Sequence, residues 1–213
     1  MLAEAPAVDT APRDNERLRV DLFSDAVFAV AITLLVLNLP LTSASGSLLD
    51  ALADRWAAFA AFGISFAIIG CVWVSHFRLL RNVHTPSGPF LFLNLAVLLT
   101  VVLVPFGTST MATFVTKADS ESHIAAALFA SVLVLMSVVF GALNRFVVRQ
   151  ERLPVPRARS VRARLDQLRP MYGAVINTIG IGVAFVSPIA VLCMTAAVAF
   201  FYFVDSISNE RAC

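Results

Sequence analysis

Charge is what this sequence has least of. Only 14% of its 213 residues are Asp, Glu, Lys or Arg, against 59% hydrophobic. That is too little polar surface for a water-soluble domain of this length. The net charge of +2 is small, and the basic residues flank apolar runs rather than exposed aromatics, which argues against nucleic acid as a partner. Cysteine is scarce too. Cys71 and Cys193 lie inside apolar runs and Cys213 is the last residue; none has metal-ligand spacing, so neither a disulfide framework nor a metal or cofactor site is implied. No apolar run carries the regular arginines of a voltage sensor, and no second copy of the first-span pattern is found, so the chain reads as one repeat. No small-x-small cleavage site follows the first apolar run, which is longer than a signal core, so it reads as a retained span.

That first run, RVDLFSDAVFAVAITLLVLNLP from Arg19 to Pro40, holds a single charged residue, Asp25, between Leu22 and Leu39. It is long enough to cross a hydrocarbon core as a helix. Val27, Val30, Leu34 and Leu37 follow the helical rhythm and form one stripe, with Thr33 beside it. Such a stripe is either a helix contact or a pore wall. Further spans are expected at Trp56–Leu80, Phe90–Thr113 with a kink at Pro105, and Ile124–Val148. The block Met171–Val204 divides at Ser187-Pro188 into two more. The expected fold is therefore all-α, a polytopic plasma-membrane protein with six transmembrane helices and both termini cytoplasmic. Residues 1–18 read as a flexible tail, 19–207 as the membrane domain with a basic cytoplasmic loop over 149–169, and 208–213 as a C-terminal tail. With this topology the outer side keeps only Arg55 and Lys117 of the basic residues, as the positive-inside rule asks. The basic loop suits contact with anionic membrane lipid, although topology accounts for it equally well.

Ser24 and Asp25 in the first span, Trp73 and His76 in the second, and Asn94 in the third fall at similar depth near the inner end. An ionisable group inside a span is costly unless it finds partners, and these residues can supply them to one another. Two readings stand: a clamp joining the first three helices, or the lining of an ion path. Arg19 and Asp25 are six residues apart, do not share a helix face, and need partners elsewhere. Ser24, His76 and Asp25 are the residue types of a hydrolytic triad, but adjacent Ser24 and Asp25 point apart, so no enzyme is expected. Gly173, Asn177, Gly180, Gly182 and Ala184 read as small-residue helix packing with one interhelical hydrogen bond. His84 and His123 read as solvated.

The spacing of Arg19 from Phe23-Ser24-Asp25, the AVFAVAITLLVLNL that follows, and the matching Trp73, His76, Asn94 and Pro105-Phe106 resemble the transmembrane protein 175 potassium channel family in its single-repeat prokaryotic form. The resemblance covers all six expected spans. It implies a homotetramer whose four first helices line a central pore for K+. It further implies that Arg19, Phe23, Ser24, Asp25, Trp73, His76 and Asn94 hold the pore helix, that Val30, Leu34 and Leu37 form the constriction, and that Thr33 favours potassium. One departure matters: relatives usually carry isoleucine or leucine at the innermost layer, where this chain has Val30, shorter by one methylene.

No TVGYG-type loop is present, so selection by a ring of backbone carbonyls is not expected. The expected mechanism is passive conduction through a hydrophobic constriction, selective or weakly selective for potassium. The competing reading is a proton or cation-coupled secondary transporter in which Asp25 and His76 titrate. It calls for inverted repeats or broken midplane helices, and neither is found.

Overall fold

The computed structural model describes residues 11–37, 39, 47–116, 119–150 and 161–210. They form seven helices, α1 (Ala11–Leu37), α2 (Leu48–Asp54), α3 (Trp56–Leu80), α4 (Gly88–Phe114), α5 (Ser120–Gln150), α6 (Val161–Ala184) and α7 (Pro188–Glu210). No strand occurs among the described residues. Four helices contain stretches long and apolar enough to cross a membrane: Asn15–Leu37, Trp56–Leu80, Gly88–Phe114 and Ser120–Gln150. The last two contribute shorter apolar stretches, Tyr172–Ala184 and Pro188–Tyr202.

Local sequence explains the helix ends. Before α5, Asp119 Oδ1 accepts from the Ser122 backbone N–H at 3.3 Å, satisfying one of the donors that every helix start leaves open. At α7 the Ser187 hydroxyl accepts from Ala190 N–H at 3.3 Å, and Pro188 opens the helix where a missing N–H costs nothing. α4 likewise starts behind an extended Ser87 with a proline in its first turn. At the front of α1 the helix begins at Ala11 rather than near Arg19, so residues 11–18 of the expected tail are helical. Arg17 and Asp21, one turn apart, approach to 3.7 Å there. Residues 1–10, 151–160 and 211–213, which include parts of both expected tails and of the basic loop, lie outside the described residues.

α4 is the central helix. It packs against α1, α3 and α5, while α7 closes on α3 and α6, and α6 on α5. Its buried side chains, among them Phe90, Val97, Val101, Val104 and Met111, sit at the middle of the core. Pro105 lies inside α4. One turn on, the Thr108 hydroxyl makes two contacts: Oγ1 donates to the Val104 carbonyl at 2.8 Å, and the buried Ser65 hydroxyl meets the same oxygen at 2.7 Å.

The small residues of α6 separate by face. A Cβ on Gly180 would come within 2.5 Å of Met194 Cε, the flexible end of that side chain, so a larger residue there would push the methionine aside rather than part α6 from α7. Gly182, in contrast, faces open space, and Asn177 is buried without a hydrogen-bond partner among the described residues. The expected interhelical bond of Asn177 is therefore not made. His123 is also not simply solvated: half-buried in the first turn of α5, its Nδ1 lies 2.7 Å from the carbonyl of Ala184, the last residue of α6. A helix end leaves its final carbonyls open, and the imidazole takes one of them.

Candidate functional site: a polar cluster and a free helix face

α1 and α4 begin, and α3 ends, at the same end of the bundle, which brings their polar residues together. Asn94 is the hub. Its Nδ2 donates to Ser24 Oγ at 3.0 Å, and its Oδ1 lies 2.7 Å from His76 Nε2. Because an amide oxygen only accepts, the Nε2 of His76 carries the proton in this arrangement. All three side chains are buried: Ser24 is 0%, His76 1% and Asn94 2% exposed. The buried Phe28 ring packs tilted against the imidazole, at 5.3 Å between centroids.

Asp25, the next residue on α1, turns about 100° away from Ser24. It accepts a 2.8 Å hydrogen bond from Trp73 Nε1. Trp73 stacks on Phe77 at 6.2 Å, and the Arg81 guanidinium stands 6.0 Å over the Phe77 ring. The adjacent pair Ser24 and Asp25 thus ties α1 to α4 through one residue and to α3 through the other. His76 bonds Asn94 and not Ser24, so no serine-histidine pair exists and the triad geometry is absent. Among the described residues no group of three or more His, Cys, Asp or Glu is placed to hold a metal ion.

Arg19 and Phe23 stand elsewhere. Both are exposed, Phe23 at 53%, and no hydrogen bond or ion pair among the described residues brings either into this cluster. The spacing Arg19, Phe23, Val30, Leu34 and Leu37 places them along one strip of α1, with Thr33 beside it. On the opposite strip Ser24, Phe28, Ala31 and Leu35 are all within 1% of full burial against α3 and α4. Val30 is 54%, Leu34 37% and Leu37 72% exposed in the subunit. Val27, which periodicity grouped with these three, instead packs on the core. The Thr33 hydroxyl donates to the Val30 carbonyl of its own helix at 2.8 Å. Its oxygen lone pairs are the remaining hydrogen-bonding capacity at that position.

Sequence reasoning missed the Ser65 and Thr108 contact, the His123 contact and Asp21. Asp21 Oδ1 is buried without a hydrogen-bond partner, one turn before Asp25. The charge of Asp21 was visible in the sequence, but its place at the rim of the packed face was not.

The family model described as "Endosomal/lysosomal potassium channel TMEM175" matches residues 19–105. A potassium channel of Streptomyces collinus is 37% identical over 190 residues, covering 88% of this chain and 92% of that protein. A potassium channel of Chamaesiphon minutus is 32% identical over 152 residues, covering 70% of this chain and 74% of that one. The crystal structure of a lysosomal potassium-selective channel TMEM175 homolog from Chamaesiphon minutus superposes with a TM-score of 0.78 at 25% identity, over 90% of this chain and 98% of that one. With this fold, these relatives and the RVDLFSD opening of α1, the chain belongs to the TMEM175 family, a family of ion channels and not of enzymes.

Proposed function

We propose that the chain is the subunit of a potassium-selective channel, in which four copies place α1 around a central pore. The observation that carries this reading is the division of α1 into two strips. One is locked onto α3 and α4 through Ser24, Phe28, Ala31 and Leu35, and the other presents Val30, Leu34 and Leu37 away from the subunit. A pore helix needs both properties: a rigid back and an uncovered front. In this reading Ser24, Asp25, Trp73, His76 and Asn94 act as the clamp that fixes the pore helix, and rings of Val30, Leu34 and Leu37 make the constriction. Arg19 and Phe23 lie on the same uncovered strip, so their partners belong to neighbouring subunits or to the inner pore mouth.

Conduction is passive and needs no cofactor, K+ being the permeant ion. At a hydrophobic constriction an ion sheds part of its hydration shell, which costs sodium more than potassium. The Thr33 hydroxyl is suited to replace some of that water, because its proton is engaged with Val30 and its oxygen is left to face a cation. The chain crosses the plasma membrane six times, α6 and α7 supplying the last two spans, and both termini are cytoplasmic. Arginine asymmetry supports that topology.

The test is a bi-ionic reversal potential in planar bilayers with purified protein, potassium opposing sodium. A reversal potential shifted toward the potassium equilibrium value is expected. A value near zero with robust current would make the pore non-selective. Proton flux that depends on His76, with no passive potassium current, would replace the channel by the transporter reading.

A further inference from the structure

We propose that the space enclosed by α3, α5, α6 and α7 is a binding site for a small neutral molecule with one hydroxyl on an apolar body, of the chemical class of a phenol or short-chain alcohol. The cavity measures about 110 Å³. It uses the Ile68, Cys71, Val72 and Ser75 face of α3, a different face from the one that carries Trp73 and His76.

Three features of the lining define the occupant. Most of the wall is apolar, with Ile68, Val72, Leu133, Met136, Phe140 and Val198 from three helices, which favours a hydrocarbon body. The polar groups are incomplete in one specific way. Ser75, Ser137 and Thr195 each donate their proton to a carbonyl of their own helix, at 2.8, 2.8 and 2.7 Å, so they offer only oxygen lone pairs to the cavity. Asn177 lines the same space at 7% exposure, with no hydrogen-bond partner among the described residues. The amide is left to the cavity rather than sealed in the packing, and a ligand that pairs with it gains a hydrogen bond that the protein does not itself make. A hydroxyl matches this set, donating to an oxygen while accepting from the Asn177 amide. Finally, none of the lining residues is charged, so an ionised ligand would be buried without a counter-charge.

Size and access agree with this class. A cavity of about 150 Å³ holds benzene, so the present one takes a body of similar or slightly smaller size. Gly173 helps to create the room. A Cβ there would lie 3.1 Å from Ser137 Oγ and 3.2 Å from Tyr202 Oη, narrowing the cavity at its polar side. Cys71, Ser75, Ser137 and Tyr202 are only partly buried, which leaves a way in.

Cys71 and Cys193 provide the test, since both are reduced, Cys71 lining the cavity and Cys193 standing exposed on α7. The full chain in lipid nanodiscs is treated with methyl methanethiosulfonate, with and without phenol, and modification at each cysteine is followed by peptide mass spectrometry. The expected result is saturable, several-fold slowing at Cys71 with no change at Cys193, weaker slowing by benzene, and loss of protection in Gly173→Ala and Asn177→Leu. Equal slowing at both cysteines would mean membrane partitioning and overturn the proposal. No reaction at Cys71, or no protection by phenol, would show that small molecules do not enter or do not bind. Equal protection by benzene would overturn recognition of the hydroxyl. If either variant fails to fold, the two wild-type comparisons, between cysteines and between phenol and benzene, still decide the matter.

Discussion

Trp73 Nε1 donates to Asp25 Oδ1 over 2.8 Å, and this bond joins the only ionisable side chain between Leu22 and Leu39 to the last turns of α3. It lies at the edge of the packed surface, with Trp73 40% exposed in the subunit. The neighbouring bonds through Asn94 lie fully inside. The two halves of the cluster should therefore respond differently to substitution.

Trp73→Phe keeps the ring that stacks on Phe77 and removes the donor to Asp25. A hydrogen bond to a charged group contributes about 1.5–3 kcal/mol, and partial exposure puts this one near the low end. A modest fall in thermal stability of the solubilised protein is the expected outcome. Asp25→Asn, which retains an oxygen acceptor, should fall less; if the two are equal, the bond is not what matters at this edge.

Asn94→Leu strands two buried partners at once, the His76 Nε2–H and the Ser24 hydroxyl. At about 1–3 kcal/mol for each stranded group the two sum to roughly 2–6 kcal/mol, and the weaker hydrogen bonds measured between membrane helices put the expected loss near the low end. Denaturation in detergent would show it. A Ser24→Ala, Asn94→Leu double variant should recover part of the loss, because one orphan is removed with its partner. An unchanged melting curve in Asn94→Leu would mean that this hub is not a clamp.

Thr33→Ala removes the oxygen that faces outward from α1 and leaves the Val30 carbonyl in place. The potassium to sodium permeability ratio should drop several-fold while current persists, read from reversal potentials. Unchanged selectivity would remove Thr33 from the mechanism.

Val30→Leu restores the longer side chain expected of relatives at the innermost layer. It adds one methylene per subunit, worth about 0.8 kcal/mol of apolar transfer, to the ring that, in the proposed pore, would have to stay wet to conduct. Single-channel conductance should fall, and Val30→Ala should raise it. A conductance that ignores both changes would place the constriction at Leu34 and Leu37 alone.

Much of the architecture was legible because apolar runs and helix breakers are local features of a chain. The second span, Trp56–Leu80, is found with the expected bounds, and the break at Ser187-Pro188 is where α6 and α7 part. The short helix α2 escaped because seven residues hold too little periodicity to read. The start of α1 escaped because residues 11–18, APRDNERL, are mostly polar and show no apolar stripe. Pairings between helices were legible only in part. Composition showed that Asp25 and His76 needed partners, but which partner each found depends on helix rotation, which no single span encodes. Ser65 with Thr108, and His123 with Ala184, are of this kind: ordinary residues until two helices meet.

α3 packs against α1 and α4 on one side and α7 on the other. The turn from Cys71 to His76 serves two neighbours at once, holding α1 through Trp73 and bordering the cavity through Cys71, Val72 and Ser75. A helical turn advances only about 5.4 Å, so both contacts sit on the same short length of backbone. A molecule held in the space behind α3 would therefore rest against the same short length of backbone whose Trp73 steadies α1.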